Sequence, residues 1–251
     1  MNEPQSEPTV KGDDYRKSHL QRGGTYDATI AGSPFDDYMA RFEQAYLKKL
    51  VPDLFPGKKA RYLDFACGTA RITSVVHQLC GESIGVDISP SMLAEARLKC
   101  PSVRFVEADL TKDAADIGMF DLVTSFRFFG NAQHELRIAV LKALNRLLRT
   151  NSYLIINSHR NPHSISALLN NITGGDNQGM DLHYFKLKRL LRSCGFEIVS
   201  SRPVGAWMFR HSMHQAADFD SATAQRRESL FSSRIFSPLA PDVVIVARKA
   251  N

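Results

Sequence analysis

The stretch LDFACGTAR, residues 63–71, carries the strongest signal for the fold. It joins a short apolar run that contains an acid, Asp64, to a turn of small residues and then to the start of a helix. Small residues let a backbone approach a ligand closely, and the unpaired N–H groups at a helix start bind acceptors. At the carboxyl end of a strand in a parallel sheet, such a junction is where ligands bind. We therefore expect a ligand site at residues 63–71.

Outward from this stretch, apolar runs of strand length alternate with helical segments, which predicts a largely parallel sheet. The expected strands are residues 61–66, 83–87, 103–107, 120–126, 153–157, 196–199 and 243–247. Neither an internal repeat nor a domain linker interrupts the pattern. We therefore predict a single α/β domain with a doubly wound, Rossmann-like sheet.

An amphipathic helix precedes this alternation. Ser33 and Pro34 supply an N-cap and a proline at the first helical position, and apolar residues follow at helical spacing. We expect the helix to end at Lys49, before Pro52.

Three segments lie outside the regular pattern. Residues 1–14 are polar and aperiodic and are expected to be a loose tail, and the glycine-rich residues 173–179 are expected to be a mobile loop. The domain prediction is a tail and cofactor-covering segment at 1–32, followed by the main domain at 33–251. The connection at 203–240 is longer than a hairpin needs, which favours either a small satellite core or a wall of the substrate pocket.

The composition excludes several classes of protein. Of the 251 residues, 43% are hydrophobic and 23% are charged. The hydrophobic residues are enough for one large core, and the composition differs from that of collagenous, disordered or disulfide-stapled chains. The sequence has neither a run of 18 apolar residues nor a signal-peptide pattern at its start, so we expect a cytoplasmic protein without a membrane span. The net charge of +6 is dispersed in short groups, which favours solvated faces over a nucleic-acid groove.

Three acids follow consecutive strands of the predicted sheet. Asp64 lies at the end of the first strand, Asp87 ends the second, and Asp109 follows the third. A carboxylate at the second position can accept hydrogen bonds from both hydroxyls of a ribose, and one at the third can accept from an adenine amino group. Each acid alone is a weak signal, and Asp87 could be a helix-capping acid. All three together indicate a nucleoside-containing cofactor.

With these motifs, the chain resembles the class I S-adenosylmethionine-dependent methyltransferases. The resemblance rests on residues 63–71, 85–92, 107–110 and 120–123, and extends from about residue 24 to the C-terminus. It implies a seven-stranded sheet in the order 3-2-1-4-5-7-6 with strand 7 antiparallel. It also implies that S-adenosylmethionine lies across the ends of strands 1 to 4.

The resemblance assigns cofactor contacts to particular residues. The methionine part falls to Asp64, Ala66, Cys67 and Gly68, the ribose to Asp87, and the adenine to Ala108 and Asp109. Met92 is expected on the adenine face, although core packing explains a lone Met equally well. Within residues 23–27, a segment that covers the cofactor in small-molecule members, Tyr26 is expected to contact the cofactor carboxylate. Ile88 and Phe126 complete the predicted cofactor set.

Two residues depart from the family pattern. Ala66 and Ala70 stand where the family most often has glycine, and both are small enough to keep the turn. A nucleophilic role for Cys67 is disfavoured, because no histidine lies near it in the sequence. The four cysteines form no CxxC pair, so we expect buried, reduced thiols.

The acceptor side has weaker signals. A hydroxyl acceptor must lose a proton, and His159, just beyond strand 5, is the candidate base; capping the next helix or bonding the loop would equally explain this histidine. Arg127 and Asn131 follow strand 4 and are candidates to orient the acceptor, although Asn131 has a sufficient structural reason as an N-cap. The remaining candidate acceptor contacts are His183, Tyr184 and Trp207.

No metal is predicted. His159 with His163, and His211 with His214, have helical spacings that suit metals, but the sequence identifies no third ligand for either pair.

The predicted function is methylation of a hydroxyl of a small or medium polar acceptor, such as a sugar of a bacterial glycan or lipo-oligosaccharide. N- or O-methylation of a secondary metabolite is the alternative within the same chemistry. A nicotinamide dehydrogenase is disfavoured because residues 66–71 lack the G-x-G-x-x-G order. A non-enzymatic nucleic-acid-binding or regulatory module on the same fold stays open, although the sequence lacks the aromatic motifs that stack on RNA bases.

Overall fold

The structure is a computed structural model that describes residues 23–112, 116–172 and 182–250. The tail predicted at residues 1–14 and the loop predicted at residues 173–179 lie outside the described residues.

The described residues form alternating helices and strands. The helices are α1 (Gly23–Ala31), α2 (Pro34–Leu54), α3 (Thr73–Val76), α4 (Pro90–Lys99), α5 (His134–Leu147), α6 (Ile165–Ile172), α7 (Tyr184–Ser193), α8 (His211–Gln215) and α9 (Ala222–Leu230), with a 3-10 helix at Arg234–Leu239. The strands are β1 (Tyr62–Phe65), β2 (Ser83–Asp87), β3 (Arg104–Glu107), β4 (Phe120–Ser125), β5 (Leu148–His159), β6 (Phe196–Val204) and β7 (Asp242–Lys249).

The seven strands form one sheet in the order β3-β2-β1-β4-β5-β7-β6, which confirms the predicted topology. The pairs from β3 to β5 are parallel, and β7 is antiparallel to both β5 and β6. Leu63 of β1 pairs with Ile84 of β2 on one side and with Val123 of β4 on the other. Because the chain moves outward in opposite directions from β1, a ligand crevice is expected at the carboxyl ends of β1 and β4.

Each face of the sheet buries its own apolar cluster. Helix α2 covers one face, where Leu47 and Val51 pack with Tyr62 and Leu122. On the other face, residues of α5 and α7 pack against β1, β4 and β5. Burial on both faces explains why the central strands read as nearly continuous apolar runs.

Helix α2 is longer than predicted. It continues through Pro52 to Leu54, although proline lacks the N–H that would bond to the preceding turn. Leu47 and Val51 are buried on the sheet, and the N–H of Phe55 donates to the carbonyl of Val51 at 3.2 Å. Tertiary packing therefore holds the last turn despite the proline.

The predicted N-cap role of Asn131 is wrong. Helix α5 begins at His134 after Gln133, and Gln133 makes no side-chain capping bond. The Asn131 side chain instead donates from Nδ2 to the carbonyl of Arg127 at 2.8 Å. Residues 128–132 form their own turn, in which the N–H groups of Asn131 and Ala132 bond to the carbonyl of Phe128, so the helix starts later.

Strand β5 is also longer than predicted, and this places the predicted base inside the sheet. It extends to His159, which pairs across the sheet with Asp242 at the start of β7.

Among the described residues, no helix is both long and apolar enough to cross a membrane.

Candidate active site

A cleft lies at the carboxyl end of β1, where the sheet topology places a ligand crevice. It encloses about 320 Å³, part of it open to solvent. Its lining residues are Tyr26, Asp64, Ala66, Cys67, Gly68, Thr69, Arg71, Ile72 and Phe126. Six of these nine were predicted cofactor contacts, and the structure brings them together.

The turn after β1 is shaped by left-handed backbone conformations. Ala66, Gly68 and Ala70 have φ angles of 53°, 54° and 63°. Such angles favour glycine, so the two alanines occupy the conformations for which the family uses glycine. A Cβ on Gly68 would meet no atom within 4 Å, so the space above this residue is open. The turn therefore presents backbone to the cleft without covering it.

Asp64 lies buried at the base of the cleft. Its carboxylate accepts hydrogen bonds from Thr73 Oγ1 at 2.6 Å and from Thr124 Oγ1 at 2.7 Å. Burial raises the pKa of Asp64 to about 6, although both hydrogen bonds and the charge of Arg71 act in the opposite direction. An amino group bound beside it would stabilise its ionised form.

Asp87 ends β2 and ties the turn to the neighbouring helix. Its Oδ2 accepts from the N–H of Gly68 at 2.9 Å, and its Oδ1 accepts from the N–H of Ser89 at 2.9 Å. The residue is half-buried, so a carboxylate edge can still meet ribose hydroxyls. Ala108 donates its N–H to the Asp87 carbonyl at 3.2 Å. This bond brings the third strand end beside the second.

The other predicted adenine contacts lie around the same strand ends. The carboxylate of Asp109 accepts from the N–H of Thr111 at 3.1 Å and from its hydroxyl at 2.6 Å. Met92 is 3% exposed in α4, so it packs in the core beside the site. Ile88, between β2 and α4, is half-buried.

Helix α1 is anchored beside the cleft. Asp27 accepts from Thr69 Oγ1 at 2.6 Å with one carboxylate oxygen and from Lys99 Nζ at 2.6 Å with the other. Gly23 lies so close to α4 that a Cβ would come within 2.2 Å of the Ser91 carbonyl oxygen. These contacts bring Tyr26 into the lining of the cleft.

Three lining residues were not predicted from the sequence: Thr69, Arg71 and Ile72. All three directly follow the small-residue turn. Their position at a helix start, facing the same crevice as the turn, was a signal that could have identified them.

A second polar group lies next to this cleft, beyond Phe126. We call it the charged cluster, and it consists of Asp36, Glu43, Arg71, Arg127, Asn157, His159 and Asp242. Asn157 and His159 lie two residues apart on β5, so their side chains point to the same face of the sheet. Glu43 and Asp36 come from α2, which covers that face.

His159 contacts Asp242 inside this cluster. Its Nδ1 lies 3.0 Å from Asp242 Oδ2, and the two side chains are 5% and 1% exposed. Burial, followed by the positive charges of Arg127, Arg160 and Arg71, lowers the pKa of His159 well below its usual range. Burial and the charge of Glu43 raise the pKa of Asp242. These effects favour the neutral imidazole of His159 over the imidazolium.

Glu43 and Arg71 link the charged cluster to the cleft. Arg71 Nη1 donates to Glu43 Oε2 at 2.7 Å, and Asn157 Nδ2 donates to Glu43 Oε1 at 2.8 Å. Asn157 Nδ2 also lies 3.5 Å from Asp242 Oδ2. Because Arg71 lines the cleft and Asn157 is two residues before His159, the polar contacts are continuous between the two regions.

Arg127 directly follows Phe126 of the cleft lining, belongs to the charged cluster, and has a left-handed backbone conformation. Its φ is 59°, and its N–H donates to Asn157 Oδ1 at 2.6 Å. Its Nη2 donates to Asp36 Oδ1 at 2.6 Å. Ala66, Arg127 and Arg160, which follow β1, β4 and β5, all have positive φ. Backbone strain at a set of neighbouring strand ends is typical of functional sites.

Among the predicted acceptor contacts, Arg127 lies in the charged cluster, whereas four others do not line the cleft. Asn131 is exposed and bonds to Arg127, and His183 caps α7 through Nδ1 and stacks on His163 at 4.4 Å between ring centroids. Tyr184 is buried and its hydroxyl contacts Ser201 at 2.9 Å.

Trp207, the remaining predicted acceptor contact, is held against α2. Its Nε1 donates to Glu228 Oε2 at 2.9 Å, and the same oxygen accepts from the Tyr38 hydroxyl at 2.9 Å. The Glu228 carboxylate also accepts from the N–H of Gly205. Around Trp207, the connection at 203–240 thus packs as a satellite core on α2.

Within residues 23–112, 116–172 and 182–250, no group of three or more His, Cys, Asp or Glu side chains could hold a metal ion. The free Cys67 is buried in the lining of the cleft, and burial, followed by the charges of Asp87 and Asp64, raises the pKa of its thiol. A raised pKa disfavours the thiolate, so Cys67 is unsuited to be a nucleophile.

The sheet order, the small-residue turn and the acids at successive strand ends define a Rossmann-like domain for an adenosine-containing cofactor. Residues 63–151 match the family model of a methyltransferase domain. This match covers about a third of the chain and bears out the predicted resemblance to the class I S-adenosylmethionine-dependent methyltransferases.

Solved structures share the fold. Magnesium protoporphyrin IX methyltransferase from Synechocystis PCC 6803 with bound SAH is 17% identical, with a TM-score of 0.61 over 94% of this chain and 97% of that one. The N-methyltransferase NodS from Bradyrhizobium japonicum WM9, in complex with S-adenosyl-L-homocysteine, is 13% identical, with a TM-score of 0.61 over 95% and 100%. Together with the methyltransferase-domain match at residues 63–151, this shared fold supports the predicted cofactor, S-adenosylmethionine.

Curated relatives match shorter segments. A trans-aconitate 2-methyltransferase of Escherichia coli O1:K1 is 45% identical over 49 residues, which is 19% of each chain. A putative methyltransferase of Bacillus subtilis strain 168 is 26% identical over 141 residues, 53% of this chain and 52% of the relative. The matched segments thus span about a fifth and about half of these relatives.

Proposed function

We propose that this chain transfers the methyl group of S-adenosylmethionine to a hydroxyl of a small or medium polar acceptor, and that His159 is the base. The observation that carries the proposal is the buried His159–Asp242 pair at 3.0 Å, which lies beside the cofactor cleft. Sugar hydroxyls of bacterial glycans or lipo-oligosaccharides are the first acceptor class to test.

The residues of the cleft fit the cofactor. The open space above Gly68 accommodates a ligand against the backbone of the turn. In this proposal, Asp64 would hold the methionine part, Asp87 the ribose hydroxyls and Asp109 the adenine. Bound S-adenosylmethionine supplies a methyl carbon that its sulfonium sulfur already activates, so the protein contributes mainly alignment.

The protein must also accept the proton that a hydroxyl loses when it is methylated. A neutral imidazole with its Nδ1–H donated to Asp242 presents Nε2 as the accepting atom. The hydrogen bonds of the described residues include none to Nε2. Asp242 fixes the orientation of the ring and stabilises the imidazolium after proton transfer, as a carboxylate does for other histidine bases. His159 is 5% exposed, so only a small part of its ring is accessible to an acceptor.

The first experiment is calorimetric titration with S-adenosylmethionine, its demethylated product and NADH. We expect the first two to bind and NADH not to bind. Radiolabelled methyl transfer is then screened over sugars, phenolic and amine metabolites, and trans-aconitate, the acceptor named for the Escherichia coli relatives. A folded protein that binds none of the three cofactors would instead favour a non-enzymatic module.

With an acceptor in hand, His159→Ala tests the base. We expect turnover to fall by about a hundredfold or more with the affinity for S-adenosylmethionine unchanged. His163→Ala is the matched control, because this exposed histidine stacks on His183 outside the charged cluster. Unchanged turnover in His159→Ala would remove the base role, and loss of turnover together with cofactor binding would indicate a structural role.

A further inference from the structure

We propose that Asp36 is a specificity-determining residue that excludes carboxylate-bearing acceptors by occupying the guanidinium of Arg127. The acceptor class that follows is an uncharged or cationic molecule with a protic group. This inference rests on the proposed function, since it concerns the acceptor end of the same site.

Arg127 has a side chain suited to binding carboxylates, and this side chain is already paired with Asp36. Guanidinium groups bind carboxylates through two parallel N–H donors. Nη2 of Arg127 donates to Asp36 Oδ1 at 2.6 Å, whereas its buried Nε has no hydrogen-bond partner in the described part of the chain. An acceptor carboxylate would find one arm of the fork taken by Asp36.

Both partners are held at their backbones. The left-handed backbone of Arg127 is fixed by the hydrogen bond from its N–H to Asn157, and its side chain is 12% exposed. Asp36 is in the first turn of α2, where its N–H donates to Ser33 Oγ at 3.3 Å. An anionic acceptor would therefore have to displace Asp36 rather than reach Arg127 elsewhere.

Within the charged cluster both cations already have carboxylate partners, and Arg160, whose charge also acts on His159, is exposed and lies just outside the cluster. The cluster holds the carboxylates of Asp36, Glu43 and Asp242 and the guanidiniums of Arg71 and Arg127. Arg71 is paired with Glu43 at 2.7 Å, and Asp242 contacts the neutral His159. A buried carboxylate without a cationic partner is strongly unfavourable. Uncharged and cationic acceptors do not carry this penalty.

The test compares Asp36→Asn with Asp37→Asn. Asp37 is the adjacent acid in the same turn, and its partner is Arg41 at 3.9 Å rather than Arg127. Both variants lose the same charge from the start of α2, so they share any general effect on the helix or on net charge. A double variant, Asp36→Asn with Arg127→Gln, tests whether any gain depends on the guanidinium.

The probes are succinate and its uncharged diamide, titrated calorimetrically with and without S-adenosylhomocysteine. We expect wild type and Asp37→Asn not to bind succinate measurably, and Asp36→Asn to bind it at least about tenfold more tightly than they do. The gain should be absent with the diamide and absent in the double variant. Circular dichroism confirms that each variant is folded.

Three results would overturn the inference: succinate binding by wild type, an equal gain in Asp36→Asn and Asp37→Asn, or no gain in a folded Asp36→Asn. Because succinate is titrated without the cofactor product as well, the role of Asp36 is decided even if S-adenosylhomocysteine does not bind. Failure of S-adenosylhomocysteine to bind counts against the proposed function instead.

Discussion

The proposed cofactor half and the proposed acceptor half of the site are built from differently placed residues. At the ends of β1, β2 and β3, the polar groups are backbone N–H groups and acids that all fall within residues 64–109, and Asp87 is half-buried. At the carboxyl ends of β4 and β5 and at the start of β7, the charged cluster draws residues from position 36 to position 242. Four of its seven members are buried, and the side chains of the other three, Asp36, Arg71 and Arg127, are 12–21% exposed. The first half presents groups to a ligand, whereas the second satisfies its charges internally.

This difference explains how the two halves can differ in function. A cofactor of fixed structure needs donors and acceptors at fixed points, which a turn and three strand ends provide. An acceptor side made of paired charges excludes molecules that would leave one of those charges unpaired. Experiments on each half separately therefore test whether the two halves differ in this way.

The largest effect expected in these experiments is a pH dependence of stability at Asp64, which lies in the cofactor half but is as buried as the charged cluster. Its pKa is raised from 3.8 to about 6, so the folded state binds the proton more tightly than the unfolded state. The free energy of unfolding that this proton contributes is fully present below the pKa of Asp64 in the unfolded chain. It is lost as the pH rises through the pKa of Asp64 in the folded protein. The loss is about 3 kcal/mol.

Urea unfolding of wild type and Asp64→Asn between pH 3.5 and pH 7 measures this effect. We expect the stability of wild type relative to the variant to fall by about 3 kcal/mol over this range. An asparagine can keep one hydrogen bond from a threonine and donate to the other, so the variant should fold. If the stability difference between wild type and Asp64→Asn did not change with pH, solvent would have to reach the Asp64 carboxylate. The cofactor half would then be accessible to solvent throughout.

A smaller effect is expected at Asp87, which is half-buried. Asp87→Ala removes a carboxylate that would accept two ribose hydrogen bonds, and should weaken S-adenosylmethionine binding by about 2 kcal/mol, roughly thirtyfold. Calorimetric titration measures the affinity. Asp121→Ala is the control, because Asp121 lies at the opposite end of β4 and bonds to Arg149. Equal affinities in wild type and Asp87→Ala would remove the ribose role.

The same contrast determines how much could be predicted from the sequence. The sheet order, α2 and the turn at 63–71 follow from local signals, because periodicity, capping residues and small residues act over a few positions. The extension of α2 past Pro52 and of β5 to His159 depends on tertiary packing, which outweighs local propensity.

The charged cluster could not be predicted for the same reason. His159 was identified from its position after strand 5, but its partner Asp242 lies 83 residues away and Glu43 lies 114 residues from Asn157. Trp207 was predicted to contact the acceptor because it lies in a long connection. Its hydrogen bond to Glu228 depends on how that connection packs on α2, which no local pattern encodes.

The smallest effect is expected in the turn itself. Ala66 has φ of 53°, and an L-residue in this conformation is strained by about 1 kcal/mol or more, while glycine is not. Ala66→Gly should therefore raise the free energy of unfolding by about 0.5 to 1 kcal/mol, after allowance for the greater entropy of glycine in the unfolded chain. Chemical denaturation with and without S-adenosylhomocysteine measures the change and shows whether the cleft is affected.

The control for this substitution is Ala108→Gly. Ala108 packs partly buried against the same core cluster as Ala66, but it is not among the residues with positive φ. Glycine there should lower stability by about 0.5 to 1 kcal/mol. Opposite signs for the two substitutions would show that the strain at the end of β1 comes from the backbone.

Arg127 has the same left-handed backbone at the end of β4, but its side chain is paired with Asp36. Glycine at Arg127 would relieve the same strain but would also remove the side chain that pairs with Asp36, so only the turn after β1 offers the relief without the loss of a charged pair.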